Sequence, residues 1–330
     1  MKKIFALLLS AALLVTLLAA CGGGNTTDTD TDTQEPATDA STTQVEEQEP
    51  DTGDASKDDP LNQDEIGEKE LLVVSFGTSY NDSRRETIGA IEKAMQTAFP
   101  DYSVRRAFTS QIIIDHVKDR DGVTIDNVEQ ALERAVNNGV KTLVVQPTHL
   151  MNGLEYEELT DELAKYSDSF EKIAIGDPLL TSDADFESVM TAITDATKDA
   201  ADGKTAICFM GHGTTADSNS VYSKMQTLLT DKGFNDYYVG TVEATPSLDD
   251  VLAAVQKGNY EKVILRPLMI VAGDHANNDM AGDEDDSWKS TFEKAGYTVD
   301  CQVEGLGQLE AIQQLFVEHA KAAVASAEAE

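Results

Sequence analysis

The sequence predicts an α/β protein: two Rossmann-like βα repeats whose parallel sheets face one cleft. Three observations predict it. Short apolar runs bounded by glycine alternate with amphipathic stretches, the pattern of parallel strands covered by helices on both faces. The pattern then runs a second time with the same punctuation. Phe76-Gly77-Thr78 matches His212-Gly213-Thr214 at an offset of 136, and Pro147 and Gly153 match Pro267 and Gly273 at an offset of 120. Finally, chemistry-bearing residues gather just past strands of the second copy, where open α/β sheets bind their ligands.

The elements follow in order. Leu71–Phe76 is a buried strand ended by Gly77, and Asn81 or Asp82 caps a helix with Ile88, Ile91, Met95 and Phe99 on its apolar face. A strand at Val104–Phe108 precedes a helix marked by Val128, Leu132 and Val136 and stopped by Gly139. Strands at Thr142–Gln146 and Lys172–Gly176 alternate with helices at Glu155–Tyr166 and Phe186–Ala200. The second copy opens with a strand at Ala206–Met210 and a helix carrying Val221, Met225, Leu228 and Leu229, closed by Gly233. Strands near Tyr237–Val242, Lys262–Arg266 and Val299–Val303 then alternate with helices near Leu248–Lys257, Ser287–Ala295 and Leu309–Ala323.

Residues 1–21 read as a secretory leader. Lys2 and Lys3 precede an apolar run from Ile4 to Ala20, too short for a comfortable membrane span. Leu18-Ala19-Ala20-Cys21 resembles a bacterial lipobox, which implies lipidation at Cys21 and an extracytoplasmic, membrane-anchored chain. Residues 22–66 read as an acidic, disordered tether, because almost nothing apolar is there to bury. Domain boundaries follow at 67–203 for the first half and 204–330 for the second, which carries the candidate ligands.

Residues 25–70 hold 16 acidic and 2 basic side chains, yet most of the net charge of −35 remains on the folded part. Nucleic-acid binding through a basic patch is therefore excluded. Cys208 and Cys301 lie in expected strands without CxxC spacing and read as small buried hydrophobes, with a disulfide between them left open. No nucleophile elbow, Walker loop or GxGxxG fingerprint occurs, so no nucleotide is expected.

Met210-Gly-His-Gly-Thr214, Val242-Glu-Ala-Thr-Pro246 and Gly273-Asp-His-Ala276 place His212, Glu243 and His275 past three strands of one sheet. Two imidazoles and a carboxylate suit a late first-row divalent metal. Phe76 stands where His212 is in the other copy, so the first half supplies a wall. Phe76-Gly77-Thr78-Ser79 offers backbone N–H groups at a helix start to an anion. His116 and His319 read as structural, and the acids around His275 (Asp274, Asp279, Asp283, Glu284, Asp285, Asp286) as a solvated loop or a cation funnel.

Val73-Val-Ser-Phe-Gly-Thr-Ser79, Arg106-Ala-Phe-Thr-Ser110, Met210-Gly-His-Gly213, Val242-Glu243, Leu268–Met280 (LMIVAGDHANNDM) and Asp286-Ser-Trp-Lys289 resemble the anaerobic sirohydrochlorin cobaltochelatases of cobalamin synthesis. The likeness covers Leu71 to His319. It implies the ferrochelatase-like fold, two halves clasping a tetrapyrrole, with Co²⁺ inserted without ATP. It also implies that His212, Glu243 and His275 hold the ion and that His212 takes protons from the macrocycle. Ni²⁺ and Zn²⁺ suit such a site as well. Phe76 and Leu268–Val271 are expected to wall a flat ring, with His149 lining the opposite side. Arg84, Arg85, Arg105, Arg106 and Arg266 are expected to meet its carboxylates. The alternative, favoured by the leader, is a surface lipoprotein that captures haem, another tetrapyrrole or metal for uptake or storage. Either reading is compatible with a homo-oligomer.

Overall fold

The structure, a computed structural model, describes residues 51–329. The expected leader, the Cys21 lipidation site and the tether as far as residue 50 lie outside the described residues. Among the described residues no helix is long and apolar enough to cross a membrane.

The first half comprises β1 (Lys69–Ser75), α1 (Asn81–Glu86), α2 (Ile88–Ala98), β2 (Ser103–Phe108), α3 (Gln111–Asp121), α4 (Val128–Asn137), β3 (Thr142–Pro147), α5 (Leu154–Ala164), β4 (Lys172–Ile175) and α6 (Asp183–Thr197). The second comprises β5 (Thr205–Gly211), α7 (Ser220–Asp231), β6 (Tyr237–Thr241), α8 (Leu248–Val255), β7 (Lys262–Pro267), α9 (Trp288–Lys294), β8 (Thr298–Cys301) and α10 (Glu310–Ala329). Each half forms a four-stranded parallel sheet, in orders β2-β1-β3-β4 and β6-β5-β7-β8. The two-copy α/β fold expected from the sequence is therefore present. In each sheet the strand order reverses beside the first strand, between β1 and β3 and between β5 and β7, which opens a crevice at the carboxyl edge.

The central strands are buried on both faces: Leu71 to Val74 and Ala206 to Met210 are all but inaccessible, as helix-covered parallel strands require. The helices begin where short polar side chains accept from their first free amides. Asn127 and Gln130 cap α4 reciprocally, as do Ser182 and Asp185 at α6 and Ser247 and Asp250 at α8. The single helix expected after Asn81 is broken at Thr87. There the Thr87 side chain packs so closely on Gly305 and Gly307 that a Cβ on either would meet it at under 3 Å.

The closing helices exchange partners between the halves. Helix α10 packs on β3, β4 and α2 of the first half, and Lys172 Nζ donates to the Ala327 carbonyl at 2.8 Å. Helix α6 lies against α7, and Thr197 Oγ1 and Tyr237 Oη share a hydrogen bond of 2.9 Å. One core accordingly joins Val73 and Ile91 to Phe209, Tyr222, Ile312 and Phe316. Cys208 and Cys301 are free thiols, and burial pushes that of Cys301 up to about 11.

Residues 51–66, expected to belong to the tether, are packed onto the first half instead. Asp82 N donates to Thr52 O at 2.9 Å, Arg106 N to Leu61 O at 3.2 Å, and Leu61 enters the main core. The Asp58 carboxylate accepts from Arg84 Nε at 2.6 Å and from Arg106 Nη1 and Nη2 at 2.7 and 3.0 Å, while Glu92 takes the other side of Arg106 at 2.7 Å. Composition marked this segment as acidic; the decisive fact is that one of its acids neutralises two buried guanidiniums.

Candidate metal centre

Strand β5 delivers His212 between two glycines with different jobs. A Cβ on Gly211 would lie 2.1 Å from Tyr222 Cε1, so the tyrosine ring packs directly on the backbone there. Gly213 adopts φ +91, a conformation that favours glycine. Tyr222 Oη then accepts from Gly213 N at 3.3 Å. The loop after β6 continues the ladder: Val242 N donates to Gly211 O at 3.0 Å and Glu243 N to His212 O at 2.9 Å. Glu243 is thereby held beside His212. His275 opens a one-turn π-helix, Ala276–Met280, past β7.

These three residues converge. One donor atom from each of His212, Glu243 and His275 lies within 4.8 Å of the others. The imidazoles meet edge to face at a centroid distance of 4.6 Å and an angle of 83°. All three reach solvent, with side-chain exposures of 47%, 57% and 33%. The ring nitrogens are already sorted. His212 Nδ1 lies 2.8 Å from Gly213 O, and His275 Nδ1 lies 2.8 Å from Asp279 Oδ2. A carbonyl or carboxylate oxygen can only accept, so each Nδ1 carries a proton and Nε2 is the nitrogen left to serve as a ligand.

Asp279 is the functional candidate that sequence reasoning filed with the solvated acids. The usable signal was the His275-Ala-Asn-Asn-Asp279 spacing, which puts both side chains on one face of a single helical turn. A carboxylate behind an imidazole fixes its tautomer and ring orientation and raises its basicity. Asp279→Asn is expected to weaken Co²⁺ binding about 10–100-fold while leaving thermal unfolding unchanged, measured by titration of the visible Co²⁺ bands. An unaltered affinity would show that Asp279 does not orient His275. The other acids mostly have partners of their own: Asp283 pairs with Lys289 at 2.6 Å, Asp285 with Lys294 at 2.7 Å, and Asp274 accepts from Asn278 at 2.7 Å.

The first-half candidates divide. Phe76 is half exposed at the edge of the sheet. Gly77 has φ +104, and a Cβ there would lie 2.6 Å from the Phe108 ring. Thr78 is buried against Gly273, and its Oγ1 accepts from Tyr80 N at 3.2 Å. Ser79 O accepts from Arg120 Nη2 at 2.6 Å. The amides of Tyr80 and Asp82 are engaged by Thr78 and Thr52. His149 lies past β3 with both ring nitrogens buried and without a hydrogen-bond partner. Burial pushes its pKa down to about 4, with Glu155 opposing weakly, so the ring is neutral near pH 7.

Two further expectations are corrected. Arg84, Arg105 and Arg106 are sealed in ion pairs with Asp58, Glu92 and Asp126, Arg266 is nearly buried beside Gln302 and Glu304, and the partly exposed Arg85 pairs with Asp82 and Glu86. A lone arginine in an acidic chain is taken up by its own carboxylates before a substrate arrives. Leu268 and Ile270 are core residues, and Val271 packs against the same core, so this stretch does not form an open wall. His319, by contrast, is structural as expected, lying 3.1 Å from both Asp177 O and Asp185 Oδ1.

Two halves of parallel sheet around a His/Glu/His cluster define the metal-chelatase class. Residues 69–325 match the family model described as cobalt chelatase (CbiK), and the chain belongs to that family. It is 38% identical to the sirohydrochlorin cobaltochelatase of Salmonella typhimurium over 251 residues, which cover 76% of this chain and 94% of that one. It is 30% identical over 260 residues to sirohydrochlorin cobaltochelatase CbiKC of Nitratidesulfovibrio vulgaris, covering 78% and 91%. Among solved structures, SirB from Bacillus subtilis with Fe³⁺ superposes with a TM-score of 0.57 at 14% identity, covering 80% of this chain and 98% of that one. DR2241 from Deinococcus radiodurans, a multi-domain protein with structural similarity to chelatases, gives 0.50 at 15% identity, covering 77% and 55%. These structural likenesses establish the shared fold.

Proposed function

We propose that the chain is an ATP-independent sirohydrochlorin cobaltochelatase, with His212, Glu243 and His275 presenting Co²⁺ to the macrocycle. The observation that carries this reading is the convergence of one carboxylate and two imidazoles, with Nδ1 of each imidazole engaged and all three side chains reaching solvent. The relatives named as sirohydrochlorin cobaltochelatases support the substrate and the metal. Ni²⁺ and Zn²⁺ fit the same donors, because ligands of this type rank late first-row ions without excluding them.

The ring-nitrogen assignment dictates an order of events. Because Nδ1 of His212 donates to Gly213 O, Nε2 is its only lone pair, and it holds either the ion or a proton. His212 therefore acts as ligand first and base second: as Co²⁺ passes to the pyrrole nitrogens, the freed Nε2 takes a pyrrole proton. His275, held alike by Asp279, serves the second proton. One dication leaves and two protons arrive, so the charge of the site is conserved. Glu243→Gln and His275→Ala are each expected to lower Co²⁺ affinity by tenfold or more, roughly the loss of one good ligand. Unchanged affinity in both variants would remove these residues from the site.

The leader and lipobox support placing the enzyme outside the cytoplasm, tethered through Cys21. That placement is also what favours the second reading, a surface lipoprotein that captures a tetrapyrrole or metal in the same cleft without turnover.

A further inference from the structure

Among the described residues, four large apolar side chains are exposed: Phe76 at 50%, Ile112 at 82%, Val136 at 40% and Leu154 at 53%. Three of the four share one place in the fold. Ile112 follows β2, Phe76 follows β1 and Leu154 follows β3, all at the carboxyl edge of the first sheet. Since the strands stand in the order β2-β1-β3, these residues form a row.

The second sheet carries a matching row. Glu243 follows β6, His212 follows β5 and His275 follows β7, and these strands stand in the order β6-β5-β7. Each apolar residue thus occupies the strand end that bears a donor in the other half. The two edges also meet. The Thr78 side chain lies 3.1 Å from the Cβ position of Gly273, the Ser218 side chain lies 3.4 Å from that of Gly153, and Ala272 N donates to Ser83 Oγ at 3.0 Å. The strand ends therefore carry metal donors in one half and exposed hydrocarbon in the other.

We propose that Ile112 and Leu154, together with Phe76, form the platform on which one face of the tetrapyrrole rests. A macrocycle of this class is apolar on its faces and carries its carboxylates at the rim. An exposed apolar row is the complement of such a face, and it turns the opposite face of the ring toward His212, Glu243 and His275. This rests on the functional reading above and extends it: insertion proceeds from the second half, while the first half supplies position. It also replaces the wall formerly expected from Leu268–Val271, whose side chains are largely spent in the core.

The test uses Ile112→Ser, Leu154→Ser and their combination, beside Val136→Ser, which removes an equally apolar but remote side chain on α4. All three sites are exposed, so folding is preserved. Metal-free sirohydrochlorin is titrated by absorbance, Co²⁺ is titrated separately, and oligomeric state is followed by size exclusion. Each platform variant is expected to bind the macrocycle roughly tenfold more weakly, and the pair about a hundredfold, with Co²⁺ affinity and the Val136 variant unchanged. Native affinity in the double variant overturns the platform. A changed oligomeric state with native affinity also overturns it, making the row an interface between copies. A native chain that binds no sirohydrochlorin overturns both the platform and the functional reading.

Discussion

Replacing His212 with alanine is expected to abolish Co²⁺ insertion and leave the fold intact. The substitution removes a metal ligand and the base that follows it, and loss of a positioned base alone costs about 10²–10⁴ in rate. The fold has little at stake. His212 is about half exposed, and its side chain touches only the Gly213 carbonyl and its fellow candidate ligands Glu243 and His275 among the described residues, so the stability change should stay within about 0.5 kcal/mol. Insertion rates with thermal unfolding measured in parallel decide it. A variant that retains activity would mean that ligation and proton transfer run through other groups.

The second large effect concerns a residue far from the cleft. Asp58→Ala is expected to destabilise the protein by about 3–5 kcal/mol, the usual cost of breaking a buried ion pair on one side. It leaves Arg84 without a carboxylate and Arg106 with Glu92 alone. Burial by itself would raise the Asp58 carboxyl, but the hydrogen bonds and charges of Arg106 and Arg84 outweigh it and hold the group below its ordinary value. Its contribution is therefore complete above about pH 4 and is lost as pH falls through the depressed folded value. Urea unfolding at pH 7 and at successively lower pH checks both points, since the gap between the native chain and the variant should narrow as the pH falls. A loss below about 1 kcal/mol at pH 7 would return residues 51–66 to the status of a dispensable tether.

That segment shows where sequence reading stops. Strands with continuous apolar runs, such as Leu71–Val74 and Ala206–Met210, are legible because parallel strands are buried on both faces. The donors are legible because Gly211-His212-Gly213 and Gly273-Asp274-His275 sit just past such strands, and topology brings strand ends together. Pairings across long stretches of chain have no periodicity to betray them. Asp58 reaches Arg106, α10 crosses onto β3, and Thr87 packs under Gly305, and none of these contacts leaves a local pattern. The arginines follow the same logic. Counted as charges, they looked available for a polycarboxylate, and only their burial shows that they are taken. Ile112 and Leu154 were hidden for the opposite reason, since apolar residues at helix starts read as ordinary core until their exposure is measured.

The most direct measurement follows absorbance over time with residues 51–330, sirohydrochlorin and Co²⁺, beside the His212→Ala variant. Beginning at residue 51 keeps Asp58 and Leu61 in place. Conversion faster than the spontaneous reaction, and lost in the variant, is the expected result. A stable shifted spectrum at one equivalent without turnover would contradict it and identify a tetrapyrrole-capturing protein built on a chelatase scaffold.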